Sequence, residues 1–384
     1  MAGRRVSRCI AGLLALLLLA GCRANWQATV LRPDGRAFTA GPQTLRDLDA
    51  YAEEAGGRRV LPLERVLAAA GHTSVERLTV VEPGGARHEF AWAAVAEEAR
   101  WLPDGRVEID GQALAAAQLE AEPSPLAAQV QARLIDVAPT IAAALGVPAP
   151  AKATGRALDV PRAPRVALIF LDGLGYLRYG EAQRDGLIPN LAGLGAPLLG
   201  LTVYPPVTNV ATPSLLTGAP PAVHGADRRG IRTTSAETIF DTVTAAGRRA
   251  VAVEGDSLAF NLRNADVQLS GDRDGNGSTD DNVAANALAA IAAGPPDLLF
   301  VHWHGIDDAG HTYGPGAPQE VAKIAEVDAA LGQIVSALPS QTLIVVVADH
   351  GMHLVQEEGR LGNHGHLVER DMFVPIVITV KHYP

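Results

Sequence analysis

The sequence predicts an α/β protein: a doubly wound, mostly parallel sheet preceded by a small α+β domain. Three observations predict it. From Arg165 onward, short apolar runs alternate with helix-length segments. Those runs are apolar throughout, which suits strands covered on both faces. Before about residue 122 the runs are shorter and are separated by turn signals, Pro33-Asp34-Gly35, Pro83-Gly84-Gly85 and Pro103-Asp104-Gly105. At 384 residues, 48% hydrophobic and 19% charged, the chain can bury the core of one large domain plus a smaller one. The net charge of −10 and the lack of a basic block argue against a nucleic-acid-binding surface. An acidic protein still binds phosphate where metal ions reverse the local sign.

Residues 1–22 read as a targeting segment. Arg4, Arg5 and Arg8 precede IAGLLALLLLA, an apolar run too short to span a bilayer comfortably. It ends in Leu19-Ala20-Gly21-Cys22, which resembles the lipobox of bacterial lipoproteins. That resemblance implies lipidation at Cys22, loss of the upstream residues including Cys9, export, and a lipid anchor on the outer face of a bacterial membrane. An ordinary signal peptide with a chance cysteine is the alternative. With Cys9 removed, the mature chain holds no disulfide and no cysteine ligand.

Residues 23–122 form the expected α+β accessory domain, with strands at WQATVL, RLTVVE and RVEID and a helix over Leu63 to Ala70. LPLERVLAAAG followed by two glycine-marked hairpins faintly resembles the sulfite-oxidase type of molybdopterin-binding fold. The cysteine that would hold molybdenum is absent, so no chemistry carries over. Scaffolding or partner binding is the expectation.

After a linker, EAEPSP at 120–125, the catalytic domain is expected over 126–384. Its first helix has Asp136 as N-cap, Pro139 in the first turn and Gly146 as the stop. A second linker, AKATGRALDVPRAP, follows. Strands are expected at VALIFLD, LLGLTVY, RAVAVE, DLLFVHWHG, TLIVVVAD and VPIVITV, and helices near 212–217, 235–246, 281–293 and 318–337.

Acids, histidines and one threonine stand out against this frame. Asp172, Asp307 and Asp349 sit at or just past the ends of apolar runs, where α/β sheets place ligands. His311, His350 and His364 accompany them. Three carboxylates and three imidazoles suffice for two divalent metals, and a hydroxyl such as Thr208 between two metals makes a phosphoryl-transfer site.

Four motifs in order, ALIFLDGLGY, VTNVATPSLLTGAPPAVHG, HGIDDAGHTYGP and VVVADHGM with GNHGH, resemble the alkaline phosphatase superfamily. Within it they resemble the type I phosphodiesterase/nucleotide pyrophosphatase branch, and the nucleophile segment is similar to that of phosphonoacetate hydrolases. The resemblance covers residues 165–380. It implies two divalent metals, usually zinc, with manganese or iron as alternatives. Asp307, His311 and His364 would hold the first metal; Asp172, Asp349 and His350 the second. Thr208 would be the nucleophile and a metal ligand, and Asn209 a donor to a phosphate oxygen. Many pyrophosphatase-type relatives place that asparagine three positions after the threonine, where this chain has Ala211. His302, His304 and His224 are read as pocket-lining or structural, and Asp308 and His366 as near-neighbours of ligands.

The resemblance implies a metal-dependent hydrolase of a small phosphorylated substrate, a phosphodiester, phosphomonoester or phosphonate. A phosphoryl or phosphoethanolamine transferase is the alternative enzyme, since HGIDDAGHTYGP also resembles the metal motif of those proteins. A surface binding protein that keeps its metals without turnover is the alternative of another class. A formylglycine sulfatase is excluded, because no Cys/Ser-x-Pro-x-Arg motif stands at the nucleophile.

Two features remain. DRDGNGSTDD places Asp272, Asp274, Asn276 and Asp280 at calcium-loop positions, with Val283 where a final glutamate belongs. It is either a Ca2+ loop with another last ligand or a polar turn before a helix. IDVAPTIAAALGVPAP resembles a segment that follows the last core strand in most relatives. A circular permutation is therefore expected, with helix 137–145 packed beside strand 372–380.

Overall fold

In the computed structural model, residues 26–256, 258–357 and 359–382 are described; the targeting segment and Cys22 lie outside them. The chain divides into two compact units. The first ends at Glu122 and lacks Thr73–Val75, which belong with Pro123 onward in the second. Among the described residues, no helix is long and apolar enough to cross a membrane.

Among the described residues the first unit holds ten strands: β1 (Ala28–Leu31), β2 (Ala37–Ala40), β3 (Glu53–Ala55), β4 (Arg58–Pro62), β5 (Arg77–Val81), β6 (Arg87–Ala91), β7 (Arg100–Trp101), β8 (Arg106–Ile109), β9 (Gln112–Ala115) and β10 (Gln118–Glu122). They form two five-stranded sheets, ordered β2-β1-β10-β5-β6 and β3-β4-β7-β8-β9. Helix α1 (Leu63–Ala69) buries Leu63, Val66 and Leu67, and Trp92 and Trp101 are fully buried.

The second unit is built on eight strands: β11 (Ala132–Arg133), β12 (Arg165–Leu171), β13 (Leu198–Leu201), β14 (Ala250–Glu254), β15 (Asp266–Leu269), β16 (Leu298–Trp303), β17 (Thr342–Val347) and, after the hairpin β18 (His353–Glu357) and β19 (Arg360–Asn363), β20 (Phe373–Val380). Their order is β11-β13-β20-β17-β12-β16-β14-β15. Only β20 runs antiparallel to its neighbours; the other pairings are parallel. This is the mixed, mostly parallel α/β sheet expected.

Seven helices matter here: α2 (Val137–Leu145), α3 (Tyr176–Arg184), α4 (Thr208–Thr217), α5 (Ile239–Ala245), α6 (Asp280–Ala292), α7 (Gly305–Tyr313) and α8 (Pro318–Ala337). Period-two alternation along the strands feeds two cores. Ile169, Val253, Val301 and Val346 face α6 and α8 through Val283, Ile291, Val327 and Leu331. Leu168, Phe170, Phe300 and Val345 face α2, α4 and α5 through Ile141, Leu215 and Phe240. Helix α2 thus belongs to the second unit, in one core with Ile376 of β20, although it lies against β12, α4 and α5 rather than beside β20.

Two details differ from the sequence reading. Asp136 does not cap α2: its carboxylate accepts the N–H groups of Arg133 (2.8 Å) and Arg156 (2.7 Å), so it ties two loops together. Gly146 does end that helix, in the left-handed conformation (φ 74°). Helix α4 begins at Thr208, not near 212, so Pro213 lies inside it. A proline normally favours the first turn of a helix, which is why the sequence pointed later.

Candidate metal centre and nucleophile

The parallel register brings the ends of β12, β16 and β17 to one edge. Phe170 pairs with His302 on one side and Val347 on the other, so Asp172, His304 and Asp349 emerge together. Gly173 then turns the chain with φ 78°, and a Cβ there would lie 3.0 Å from both Cα and Cβ of Asp307. Its N–H donates to Asp349 Oδ1 at 3.2 Å. Thr202 Oγ1 donates to the Asp349 carbonyl and anchors that strand end.

Helix α7 carries Asp307 and His311 four residues apart, hence on one face. Their side chains meet at 3.2 Å. His364, after β19, places Nε2 at 3.1 Å from His311 Nε2 and 3.7 Å from Asp307 Oδ1. On the other side, His350 Nε2 lies 3.2 Å from Asp349 Oδ2 and 3.4 Å from Asp172 Oδ1. Thr208 Oγ1 stands 3.4 Å from Asp172 Oδ1 and 3.3 Å from His350 Nε2. All seven residues singled out in the sequence therefore converge. Ligand atoms of Asp307, His311 and His364, and of Asp172, Asp307 and His350, form two adjoining clusters.

Two backbone carbonyls decide histidine tautomers. Nδ1 of His350 faces Gly351 O at 3.0 Å and Nδ1 of His364 faces Pro206 O at 2.9 Å. A carbonyl only accepts, so each of these Nδ1 atoms carries the proton and each Nε2 turns a lone pair inward. Nδ1 of His311 lies between Gly362 O at 2.8 Å and the Arg360 guanidinium at 3.0 Å. Burial and the neighbouring His350 hold His364 well below the ordinary histidine value.

This donor set fits cations. The inward lone pair of His364 Nε2 lies 3.1 Å from His311 Nε2. Asp307 Oδ1 and Asp349 Oδ2 are buried and make no hydrogen bond. Burial and the neighbouring Asp172 push the Asp349 carboxyl up to about 7. A dication between these oxygens and nitrogens satisfies them together, and a carboxylate–imidazole set suits zinc, manganese or iron.

Thr208 is the first residue of α4, so the open N–H groups of that first turn lie beside its hydroxyl, the arrangement that favours an anion. Asn209 lines the same cavity, but one of its amide hydrogens is taken by the Ala259 carbonyl at 2.9 Å. The cavity measures about 720 Å³ and is lined further by Arg232, Asp256, Asp308, Tyr313 and Lys323.

His302 and His304 are a separate case. With Asp172 their ligand atoms form a further cluster, but their ring nitrogens already face Asp172 on one side and Glu254 on the other. Burial opposes their charge, yet the facing carboxylates raise both above the usual histidine value. Sequence reasoning missed Glu254; the only signal is an acid at the end of the apolar run AVAVE. His224 is structural. Nδ1 accepts the Ala226 N–H at 3.1 Å and Nε2 meets Ser214 Oγ at 2.8 Å.

The expected calcium residues do not assemble. Asp272 spends both oxygens on the N–H groups of Gly275, Asn276 and Gly277. Asp274 Oδ2 accepts the Asn276 side-chain amide. Asp280 is buried beneath Gly305, whose N–H it accepts at 3.3 Å. The segment is a polar turn leading into α6, and among the described residues no metal-binding group includes it.

A sequence profile of the type I phosphodiesterase / nucleotide pyrophosphatase family matches residues 166–373. The chain belongs to this family. Within that match lie Asp172, Thr208, Asp307, His311, Asp349, His350 and His364. The chain is also similar to human GPI ethanolamine phosphate transferase 3, catalytic subunit, at 28% identity over 210 residues, 50% of this chain and 18% of the relative. The mouse protein of that name matches at 24% over 235 residues, 52% of this chain and 20% of the relative. The chain thus spans about a fifth of the length of these curated relatives. Among solved structures, phosphonoacetate hydrolase from Sinorhizobium meliloti in complex with phosphonoformate aligns with a TM-score of 0.40 at 23% identity, over 52% of this chain and 59% of that one. Murine ectonucleotide pyrophosphatase/phosphodiesterase 5 in complex with AMP aligns with a TM-score of 0.45 at 16% identity, over 56% and 87%.

Proposed function

We propose that this chain is a two-metal phosphoric ester hydrolase with Thr208 as its nucleophile. The observation that carries the reading is the placement of Thr208 Oγ1 at the start of α4, beside Asp172 and His350, at the junction of two clusters with inward lone pairs. Asp307, His311 and His364 would hold one cation, and Asp172, Asp349, His350 and Thr208 the other. Bound there, the metals supply an ionisable threonine hydroxyl and an electrophilic phosphorus. The Oγ–P bond forms as the ester P–O bond breaks. Water then cleaves Oγ–P and restores the hydroxyl. The first-turn N–H groups of α4 and the remaining Asn209 amide hydrogen orient the phosphoryl oxygens. Zinc is the metal this donor set favours.

The test uses nitrophenyl phosphate, bis-nitrophenyl phosphate and phosphonoacetate with the wild type and Thr208→Ala. Turnover by the wild type that Thr208→Ala loses supports the proposal. Absence of metal-dependent turnover on every phosphorus substrate favours the binding-protein reading.

A second reading, phosphoethanolamine transfer, has an observation of its own. Besides the ligands, Asp256, Asp272, Asp280 and Asp308 outnumber Arg232 and Lys323 along the cavity, and an excess of acid suits a substrate carrying a positive charge. The curated relatives named above are ethanolamine phosphate transferases. Product bearing the transferred group, when an alcohol acceptor is supplied, would replace hydrolysis with transfer. Export and a lipid anchor at Cys22 complete the proposal; Cys22→Ser then shifts the protein from the membrane to the soluble fraction.

A further inference from the structure

We propose that Glu254 is a positioning residue for Asp172, acting through the side-by-side imidazoles of His302 and His304. The proposal rests on the metal-centre reading above and deepens it.

Glu254 ends β14, His302 lies on β16, and Asp172 follows β12; the three strands are neighbours in the sheet. Val253 pairs with Val301 and Phe170 with His302, so the three side chains form a row across the strand ends. Glu254 is 1% exposed and His302 is fully buried. His302 Nδ1 is 2.8 Å from Glu254 Oε2, and its Nε2 is 3.2 Å from Asp172 Oδ2. His304 repeats the bridge, with Nδ1 3.3 Å from Asp172 Oδ2 and Nε2 3.3 Å from Glu254 Oε2. The two rings lie 3.8 Å apart, centroid to centroid.

Both imidazoles therefore grip one oxygen of Asp172, Oδ2. The other, Oδ1, is left toward Thr208 and His350, each at 3.4 Å. That fixes the rotation of the carboxylate and makes Oδ1 its cluster-facing atom. Glu254 holds the far side of both rings, His302 at Nδ1 and His304 at Nε2, and so fixes their orientation against Asp172 Oδ2. Without that carboxylate both rings are free to turn, and the grip on Oδ2 loosens. A buried acid is costly to keep for stability alone. Second-layer carboxylates that orient a ligand typically contribute 10- to 100-fold in metal affinity.

The experiment titrates the metal-free full chain with Co2+ and follows visible absorption, for the wild type, Glu254→Gln and Glu254→Asp. The wild type is expected to bind two equivalents. Glu254→Gln is expected to keep one and to bind the other about 10- to 100-fold more weakly. Glu254→Asp keeps the charge and recovers part of that affinity, a rescue that a packing role would not produce. Metal-free melting of Glu254→Gln is expected to stay close to the wild-type temperature, since the amide keeps the side chain's size and an oxygen acceptor for His302 Nδ1. Wild-type affinity for both equivalents in Glu254→Gln overturns this inference and leaves the metal centre standing. Failure of the wild type to bind Co2+ overturns both.

Discussion

Arg178 and Glu320 join the two helices that follow the segments carrying Asp172 and His311. Arg178 on α3 comes soon after Asp172, and Glu320 on α8 soon after His311. The guanidinium donates twice, Nε to Glu320 Oε1 at 2.7 Å and Nη2 to Oε2 at 2.6 Å. Glu320 is 2% exposed, and beyond the guanidinium its carboxylate accepts the Gly316 N–H at 3.2 Å. Arg178→Met leaves that carboxylate buried with a single backbone donor. Removing one partner of such a pair costs about 3–5 kcal/mol, whereas replacing both with apolar groups of similar volume is often neutral. Arg178→Met should therefore cost about 3–5 kcal/mol and Arg178→Met/Glu320→Leu far less. Urea unfolding followed by circular dichroism, with the midpoint and slope fitted for each member of the cycle, measures this. The assignment of the cost to an orphaned buried charge fails if Arg178→Met loses less than about 1 kcal/mol, or if the double variant loses as much as the single.

Thr208→Ala should lower kcat by several orders of magnitude while Co2+ uptake at the Asp307, His311 and His364 cluster persists; steady-state kinetics beside metal analysis reports both. Gly173→Ala forces a left-handed φ on a residue with a Cβ and pushes against Asp307, so it should cost about 1–2 kcal/mol in stability and more than tenfold in activity. Metal removal by a chelator should lower the melting temperature, and metal at one hundred times its Kd should restore about 2.7 kcal/mol. His224 is 4% exposed, and burial lowers it from 6.5 to about 4, so the fold holds it neutral. The unfolded chain binds a proton there first as pH falls, so stability is complete above about 6.5 and declines toward pH 4 by no more than about 3 kcal/mol. Unfolding free energies of the wild type and His224→Gln across that range should diverge in slope; parallel profiles contradict the assignment.

Much of the fold was legible because its signals are local. VALIFLD, DLLFVHWHG and TLIVVVAD are apolar enough to be nothing but doubly covered strands, and acids at their ends mark a sheet edge that binds ligands. Helix 318–337 was likewise legible, since its apolar positions recur with helical spacing over many turns. Helix α7 was less so. Gly305, Gly310 and adjacent aspartates are poor helix formers, and the helix holds through packing against α8 and β19. The Asp272 segment misled for the same reason in reverse: its spacing fits a cation loop, but Gly305 draws Asp280 into the core.

Residue types and their spacing along the chain determined that this protein builds a parallel sheet and which acids, imidazoles and hydroxyl could share its edge. Tertiary structure alone decided which nitrogen of His364 faces inward, because the deciding carbonyl of Pro206 comes from a segment 158 residues away whose approach no local pattern encodes. It also decided that Glu254 stands behind Asp172. Strands β12, β16 and β14 are adjacent in space and far apart in sequence, and contacts of that kind arise only when the sheet closes.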